Sequence, residues 1–192
     1  MTIKPRLSLL ALLLALMSAC GQQTESQNET QVEQPQVLED VEYLASDELG
    51  GRETGTPGNL MARDYIESRF DSLGLMMFGD SYRQPFDQAI STGESSADTV
   101  VAENIVGYLE GSSNTDRFIV VTAHYDHLGR EGDDIYNGTD DNASGTAGLM
   151  AAAAHFAENP PENSIIFIGF DAEEKGLAGA RFFTANPSVP LE

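Results

Sequence analysis

Two short continuous apolar runs dominate the hydrophobic pattern of the chain. Phe118–Val121 and Ser164–Phe170 are rich in β-branched and aromatic residues, which predicts two buried strands. Between them, the alanine-rich segment 147–157 predicts a helix, and Ser144 is its expected N-cap. A strand, a helix and a second strand in this order form a βαβ unit, so we predict an α/β fold with a mostly parallel sheet.

The flanking segments predict further elements. Residues 37–49 predict a short helix that ends at Gly50. Residues 59–73 predict a longer helix whose methionine and aromatic stripe faces the core. We also expect an edge strand with turns over 75–88, an exposed loop over 91–99, a strand over 100–109, a loop over 131–138 and a final helix over 177–184.

The start of the chain has the pattern of an export signal. A basic start precedes an apolar core over residues 9–17, which is too short for a comfortable membrane span. The segment 17–20 resembles a bacterial lipobox, which implies removal of residues 1–19 and a lipid on Cys20. No Asp follows that cysteine, which favours the outer membrane or the periplasmic face. The alternative is an ordinary signal peptide cut near Ala19 with an incidental cysteine.

Composition separates a tether from a folded domain and excludes several classes of partner. Residues 20–36 are polar and contain no aromatic residue, so we expect a disordered tether before a domain over residues 37–192. The net charge of −21 argues against nucleic acid as a partner and favours cationic or neutral substrates. A single cysteine excludes an intramolecular disulfide framework and a cysteine-based zinc site.

Three polar clusters lie beside the predicted βαβ elements. His124–Asp126 follows the first strand, Asp140–Asp141 precedes the helix, and Glu173–Glu174 follows the second strand. Because ligands collect beyond the carboxyl ends of the strands in such sheets, the first and third clusters can converge although about fifty residues separate them. Imidazole and carboxylate ligands with a spare carboxylate are what a metal-assisted hydrolase needs.

The chemistry of such a hydrolase explains the residue types. One carboxylate can bridge two divalent ions, and a carboxylate that is not a ligand can carry a proton from water to the leaving amine. Glu173 and Glu174 are adjacent and can divide the roles of base and ligand. Asp126, two residues after His124, is placed to accept the other N–H of the imidazole.

Three sequence motifs carry a resemblance to a known family. They are Ala123–Gly129 (AHYDHLG), Asn137–Gly145 (NGTDDNASG) and Asp171–Leu177 (DAEEKGL). In this order and at this spacing they closely resemble family M28 of zinc peptidases, which are co-catalytic dizinc aminopeptidases. The resemblance runs from about Leu38 to the last residue. It implies a three-layer α/β/α fold, two Zn²⁺ ions in a complete site and peptide substrates with a free N-terminus.

The resemblance also implies a role for individual residues. His124 would ligate one zinc and Glu174 the other, while Asp141 would bridge both. Glu173 would be the general base.

The same resemblance implies that this chain is truncated at its C-terminus. The family pattern has a later Asp and a later His as ligands. No Asp follows Asp171 and no His follows His155. We therefore expect the two remaining ligands to lie beyond Glu192.

Other polar residues have simpler interpretations. Asp140 is the alternative to Asp141 as the ligand, because the two are neighbours. His127 is expected to pack or to form a hydrogen bond, with a ligand role as the alternative. His155 is expected to be a partly buried helix residue, and the pair 133–134 to be exposed charge.

Two functional hypotheses follow. The first is an exported, membrane-tethered dizinc aminopeptidase, with a carboxypeptidase or a glutaminyl cyclase as alternative uses of the same site. The second is a lipoprotein fragment or pseudoenzyme without catalysis, which would bind at most one metal ion weakly through His124, Asp141 and Glu174.

Overall fold

The alternation of helices and strands along the chain is close to the predicted order. The computed structural model describes residues 34–91 and 97–190. Its four helices are α1 (Gln34–Leu44), α2 (Pro57–Ser72), α3 (Ser144–Glu158) and α4 (Ala178–Ala185). Its seven strands are β1 (Met76–Met77), β2 (Arg83–Ser91), β3 (Ala97–Leu109), β4 (Asn114–His124), β5 (Gly129–Glu131), β6 (Asp134–Tyr136) and β7 (Asn163–Phe170).

Strand β7 lies inside a mixed five-stranded sheet. The order of the strands is β1-β3-β7-β4, and β2 also pairs with β3. Strand β4 runs parallel to β7, as the βαβ prediction requires, whereas β3 runs antiparallel to it. Strands β5 and β6 form a separate two-stranded ribbon; β6 lies within the predicted loop 131–138, and β5 ends at its first residue.

Alternate side chains of β7 pack against helices on both faces of the sheet. Ile165 and Phe167 join the larger core with residues of α1, α2 and α3. Ile166 and Ile168 point to the opposite face, where Phe183 of α4 covers them. All four side chains are almost completely buried, which explains the continuous apolar run. The three-layer α/β/α fold predicted from the sequence is confirmed.

The run Phe118–Val121 forms the predicted strand, but the prediction that this strand is buried is wrong. It lies in β4, whose partner among the described residues is β7 alone. Ile119 is 49% exposed and Val120 is 42% exposed. A run of apolar residues therefore forms the strand here without being enclosed on both faces, because β4 is at the edge of the described sheet.

The start of α3 also differs from the prediction. Ser144 is the first residue of the helix and does not cap it; its hydroxyl donates to the carbonyl of Asp140. Asn142 provides the cap instead, because its Oδ1 accepts a hydrogen bond from the backbone N–H of Gly145 at 3.1 Å. The Asp141–Asn142 peptide bond is cis.

Smaller differences concern the ends of elements. Helix α1 begins at Gln34, inside the predicted tether. Strands β2 and β3 extend into both ends of the predicted loop 91–99. No helix among residues 34–91 and 97–190 is long and apolar enough to cross a bilayer. The predicted export signal and most of the tether lie outside the described residues.

A glycine at the start of α2 allows the helix to approach the preceding turn. A Cβ atom at Gly58 would lie 1.8 Å from the carbonyl oxygen of Leu49. This is an impossible contact with rigid backbone, so a side chain at Gly58 would force α2 away from the segment that carries Arg52 and Thr54.

We therefore expect Gly58→Ala to lower the free energy of unfolding by about 1–3 kcal/mol, measured by urea denaturation. Gly148→Ala is the matched control, because nothing lies within 4 Å of a Cβ atom at this exposed position in α3. That control should raise stability by about 0.4–1 kcal/mol. Equal effects of the two substitutions would contradict the close approach at Gly58.

Candidate metal centre

The candidate site forms at the carboxyl ends of the parallel strands β4 and β7. His124 is the last residue of β4 and is the Cα partner of Phe170, the last residue of β7. The N–H of Tyr125 donates to the carbonyl of Phe170 at 2.9 Å, which extends the pairing by one residue. The His124 segment and the Glu173–Glu174 turn therefore leave the sheet side by side, as the sequence predicted.

Asp126 holds the Glu173–Glu174 turn through its carboxylate. Its Oδ1 accepts the N–H of Glu173 at 3.0 Å, and its Oδ2 accepts the N–H of Glu174 at 3.2 Å. The side chain is completely buried.

The position of Asp126 corrects one expectation about His124. His124 Nδ1 lies 3.2 Å from the backbone carbonyl of Asp126 and 3.7 Å from its Oδ1, so the carbonyl and not the carboxylate accepts its hydrogen bond.

Asp141 faces the imidazole of His124. His124 Nε2 and Asp141 Oδ1 are 3.0 Å apart. Asp141 is exposed on its other side, with 66% of its side chain accessible. The neighbouring Asp140 is also exposed, and its carbonyl contacts Ser144. Of the two aspartates that the sequence left open as ligands, Asp141 is the one that faces His124.

His127 is buried and within hydrogen-bond distance of another residue, as expected, and its partner is Glu174, which the sequence did not predict. The ring Nδ1 is 2.8 Å from Glu174 Oε1, and the His127 side chain is almost fully buried. Donor atoms of His127, Asp141 and Glu174 all lie within 4.8 Å of one another. Asp141 therefore belongs both to this group and to the contact with His124.

Glu173 points elsewhere. With His124 and Asn142 it lines an open cleft of about 320 Å³ that also has apolar walls. The apolar lining comes from Ala123, Phe170, Leu177 and Ala180. The side chains of the two adjacent glutamates thus point to different places. Glu174 lies with His127 and Asp141, and Glu173 lines the cleft.

These residues fit zinc. Imidazole nitrogens and carboxylate oxygens are ligands that Zn²⁺ takes in proteins. Three such donors converge within 4.8 Å, and a fourth, on His124, is 3.0 Å from the shared Asp141 carboxylate. The imidazole of His124 is also within hydrogen-bond distance of the backbone carbonyl of Asp126, which is an arrangement expected around metal ligands.

A buried arginine connects the loops that carry these residues. Arg52 is fully buried and donates to the backbone carbonyls of Tyr125 at 2.8 Å, Asn137 at 2.7 Å and Gly138 at 3.2 Å, and to that of Leu44. Burial lowers the pKa of Arg52 to about 10, against the opposing charges of Asp126 and Asp141. The glycine-containing segment 50–55, which carries Arg52, therefore positions the segments of His124 and Asp141.

Asp171 and Thr54 are further positioning residues, which sequence reasoning missed. Asp171 is buried and accepts from the N–H of Glu103 at 3.1 Å, the side-chain amide of Asn59 at 3.0 Å and the hydroxyl of Thr54 at 3.1 Å. Burial, with the charge of Asp126, raises the pKa of Asp171. Asp171 lies in the motif DAEEKGL and Thr54 in the segment 51–56 (GRETGT), and no rule of ligand spacing connects the two.

The charge around His124 favours its protonated form when no metal is bound. Burial lowers the pKa of His124, but hydrogen bonding to Asp126 and the charges of Asp126 and Glu173 outweigh burial and raise it to about 8. Metal ligands must be deprotonated, so a proton on His124 competes with a metal ion.

A zinc metalloprotease of known sequence resembles this chain. The protein "Probable zinc metalloprotease" of Leptosphaeria maculans is 33% identical over 156 residues, which cover 75% of this chain and 35% of that protein. The chain therefore spans about a third of the length of this curated relative.

Solved structures share the fold. A Zn-dependent exopeptidase from Parabacteroides distasonis superposes with a TM-score of 0.62 at 22% identity, over 81% of this chain and 55% of that one. A glutaminyl cyclase from Fimbriiglobus ruber superposes with a TM-score of 0.60 at 19% identity, over 81% of this chain and 57% of that one.

The fold is that of zinc-dependent exopeptidases, and the residues at the ends of β4 and β7 suit the same metal. The model of Peptidase family M28 matches residues 104–191, the segment that contains all three motifs. Over this segment the chain belongs to peptidase family M28, a family of zinc metallopeptidases.

We expect His124 to titrate at a pH of about 8 in the metal-free protein, and Asp126→Asn to lower its pKa toward 6.5 by removing the buried negative charge. The pKa is measured from the imidazole NMR signals in the presence of a chelator. Asp140→Asn is the control, since Asp140 is exposed and does not face His124. An unchanged His124 pKa in Asp126→Asn would contradict the stated cause.

The same shift predicts how stability depends on pH. The pKa of His124 is about 8 in the folded chain against 6.5 when it is unperturbed. The stabilisation is therefore complete below pH 6.5 and is lost as the pH rises through 8. The difference amounts to about 2 kcal/mol. Unfolding of the chelated wild type and of His124→Gln between pH 6 and about 9 checks this, because only the wild type should lose this contribution.

Proposed function

We propose that the protein is a zinc-dependent aminopeptidase that removes N-terminal residues from peptides. The observation that carries the proposal is the separation of two adjacent glutamates. Glu174 lies with Asp141 and His127 in a group of side chains that could hold a metal ion, while Glu173 lines the cleft beside His124. A ligand and a base are thus available on one turn.

The proposed roles follow from these positions. Bound zinc would supply Lewis acidity and lower the pKa of water at the site. Glu173 would accept a proton at its carboxylate and donate it to the leaving amine. Asp126 would act as a positioning residue, because its carboxylate fixes the backbone of Glu173 and Glu174. His124, Asp141 and Glu174 would hold the metal.

The acidity of the chain supports a substrate with a free amine. The net charge of −21 attracts a protonated N-terminus and repels a C-terminal carboxylate. This argument favours an aminopeptidase over a carboxypeptidase. A glutaminyl cyclase is the second candidate, favoured by the shared fold of the Fimbriiglobus ruber enzyme.

The experiment is an assay of the zinc-loaded chain with aminoacyl p-nitroanilides, their N-acetylated forms and a peptide with N-terminal glutamine. Release from the free-amine substrates alone supports the aminopeptidase. Pyroglutamate formation without hydrolysis would replace it by the cyclase. Bound zinc without turnover of any substrate would support the inactive fragment or pseudoenzyme.

We expect Glu173→Gln to abolish turnover while zinc still binds, because this substitution removes a proton acceptor and leaves the group of His127, Asp141 and Glu174 intact. Activity and zinc content, by elemental analysis, are measured on the same samples. Glu158→Gln is the matched control, since Glu158 is exposed at the end of α3 and should keep full activity. Retained activity in Glu173→Gln would refute the role of base.

Export and lipid anchoring are a separate part of the proposal. The pattern of residues 1–20 supports a lipoprotein signal peptide with acylation at Cys20. The protein would then be tethered to the cell envelope, with residues 20–36 as the tether.

We expect wild-type protein produced in a bacterial host to incorporate an alkyne-labelled fatty acid and Cys20→Ser to incorporate none. The label is detected by fluorescence after coupling, and the intact mass shows whether residues 1–19 are removed. Ser18→Ala serves as the control, because a small residue is kept there. An unlabelled wild type cut near Ala19 would favour an ordinary signal peptide.

A further inference from the structure

Asn142 lies where the turn before α3 meets the cleft. The cleft has a volume of about 320 Å³, and its polar lining consists of Thr122, His124, Asn142 and Glu173. Asn142 is half-buried and follows Asp141 directly in the chain. The residue is therefore next to a candidate metal ligand and also lines the space in which a substrate would lie.

The hydrogen bond that caps α3 determines which end of the Asn142 amide is free. Oδ1 accepts the backbone N–H of Gly145 at 3.1 Å. Because a backbone N–H can only donate, the oxygen of the amide must face it, and the NH₂ group must point away from it. Gly145 also lets the amide come close, since a Cβ atom there would lie 2.1 Å from Oδ1. The helix itself thus holds the amide in one orientation.

The NH₂ group of Asn142 has no acceptor among the described residues. The bond to Gly145 is the only hydrogen bond that this side chain makes within residues 34–91 and 97–190. Two donor hydrogens on Nδ2 are therefore available to a molecule in the cleft. A ligand that displaces water from Nδ2 without supplying an acceptor would bind at a cost. The amide thus favours a ligand that has an oxygen acceptor beside Asn142.

The other polar side chains of the cleft are less suited to bind a carbonyl oxygen. Both ring nitrogens of His124 already face an oxygen atom of the protein, at 3.2 Å and 3.0 Å. The carboxylate of Glu173 is itself an acceptor and repels a carbonyl oxygen. Thr122 has a hydroxyl donor, but it lies two residues before His124 in β4, farther from the carboxyl end of the strand. The amide of Asn142 is therefore the donor best placed beside the candidate ligands.

From this geometry we infer that Asn142 binds the substrate, and that its Nδ2 donates a hydrogen bond to the carbonyl oxygen of the scissile peptide bond. The inference rests on the proposed function, because it adds a residue that contacts the substrate in the same cleft. The carbonyl is that of the scissile bond because Asn142 shares the cleft with Glu173, the proposed base. Asn142 then has two roles: Oδ1 caps α3, and Nδ2 recognises the peptide.

Two substitutions separate the two roles. Asn142→Asp and Asn142→Ser both remove the NH₂ group, but they keep an oxygen that can cap α3, because aspartate and serine are as good as asparagine at an N-cap. The metal-free variants should therefore unfold at the same urea concentration as the wild type. Asn114→Asp is the matched control for the added charge, because Asn114 is the first residue of β4 and lies at the opposite end of the strand from the site.

The measurement compares two analogues of the dipeptide Leu-Ala that cannot be hydrolysed. A ketomethylene analogue keeps the carbonyl group, whereas an alkene analogue has a C=C bond in place of the peptide bond. Their affinities for the zinc-loaded whole chain are measured by calorimetry. We expect the ratio of the two affinities to fall by about three- to tenfold in both Asn142 variants, as one lost hydrogen bond predicts, and to stay constant in Asn114→Asp. An effect of charge on the free amine would act on both analogues and cancel in the ratio.

The outcomes separate this inference from the proposed function. An unchanged ratio in both Asn142 variants would overturn the inference, while hydrolysis of aminoacyl p-nitroanilides by the wild type would leave the aminopeptidase standing. A fall in Asn142→Asp alone would be repulsion between the new charge and the carbonyl, and would also overturn the inference. If the ratio falls in both variants but the wild type hydrolyses no substrate, the carbonyl contact stands and the peptidase proposal fails. A wild type that binds neither analogue would overturn both.

Discussion

A buried guanidinium is the contact on which the rest of the site depends. Arg52 has no carboxylate partner within ion-pair distance among the described residues, and its donors go to backbone carbonyls of three separate segments. Leaving a buried charge without these acceptors is costly, so the carbonyls of Leu44, Tyr125 and Asn137–Gly138 are held in place around it. The helix α1, the exit of β4 and the loop before Asp141 therefore meet at one side chain.

Two buried carboxylates extend this framework to the third motif. Asp126 binds the backbone of the Glu173–Glu174 turn, and Asp171 binds Thr54 and Asn59. Thr54 is 3.1 Å from Asp171 and 3.4 Å from Asp126, but its hydroxyl carries a single proton. The geometry of the candidate metal ligands thus depends on buried polar residues that hold the loops and the turn on which these ligands lie.

Much of the fold could be predicted from the sequence because its strongest signals are local. The apolar run of β7 is buried on both faces, and the stripe of α2 faces the core with Ile66 and Phe70 fully enclosed. The order of β4, α3 and β7 predicted that His124 and Glu173 lie together at the carboxyl ends of the parallel strands, and the structure confirms this position.

The missed features depend on contacts distant in sequence. An apolar run cannot show whether its strand has one neighbour or two, so the exposure of Ile119 in β4 was not predictable. The contact of His127 with Glu174 joins residues 47 positions apart, and no spacing rule connects them. The sequence predicted Ser144 as the N-cap of α3, whereas Asn142 caps the helix, because the turn before the helix is irregular.

Within residues 34–91 and 97–190, strand β4 has a partner on one side only, and this has a consequence for the behaviour of the protein in solution. An edge strand offers unpaired backbone groups to any other strand, and here the apolar side chains of Ile119 and Val120 accompany them. The net charge of −21 on each chain opposes the approach of two such edges. This repulsion weakens as the Debye length falls from about 10 Å at 0.1 M salt to about 3 Å at 1 M. The colloidal stability of the protein is therefore a property of its ionic surroundings as much as of its fold.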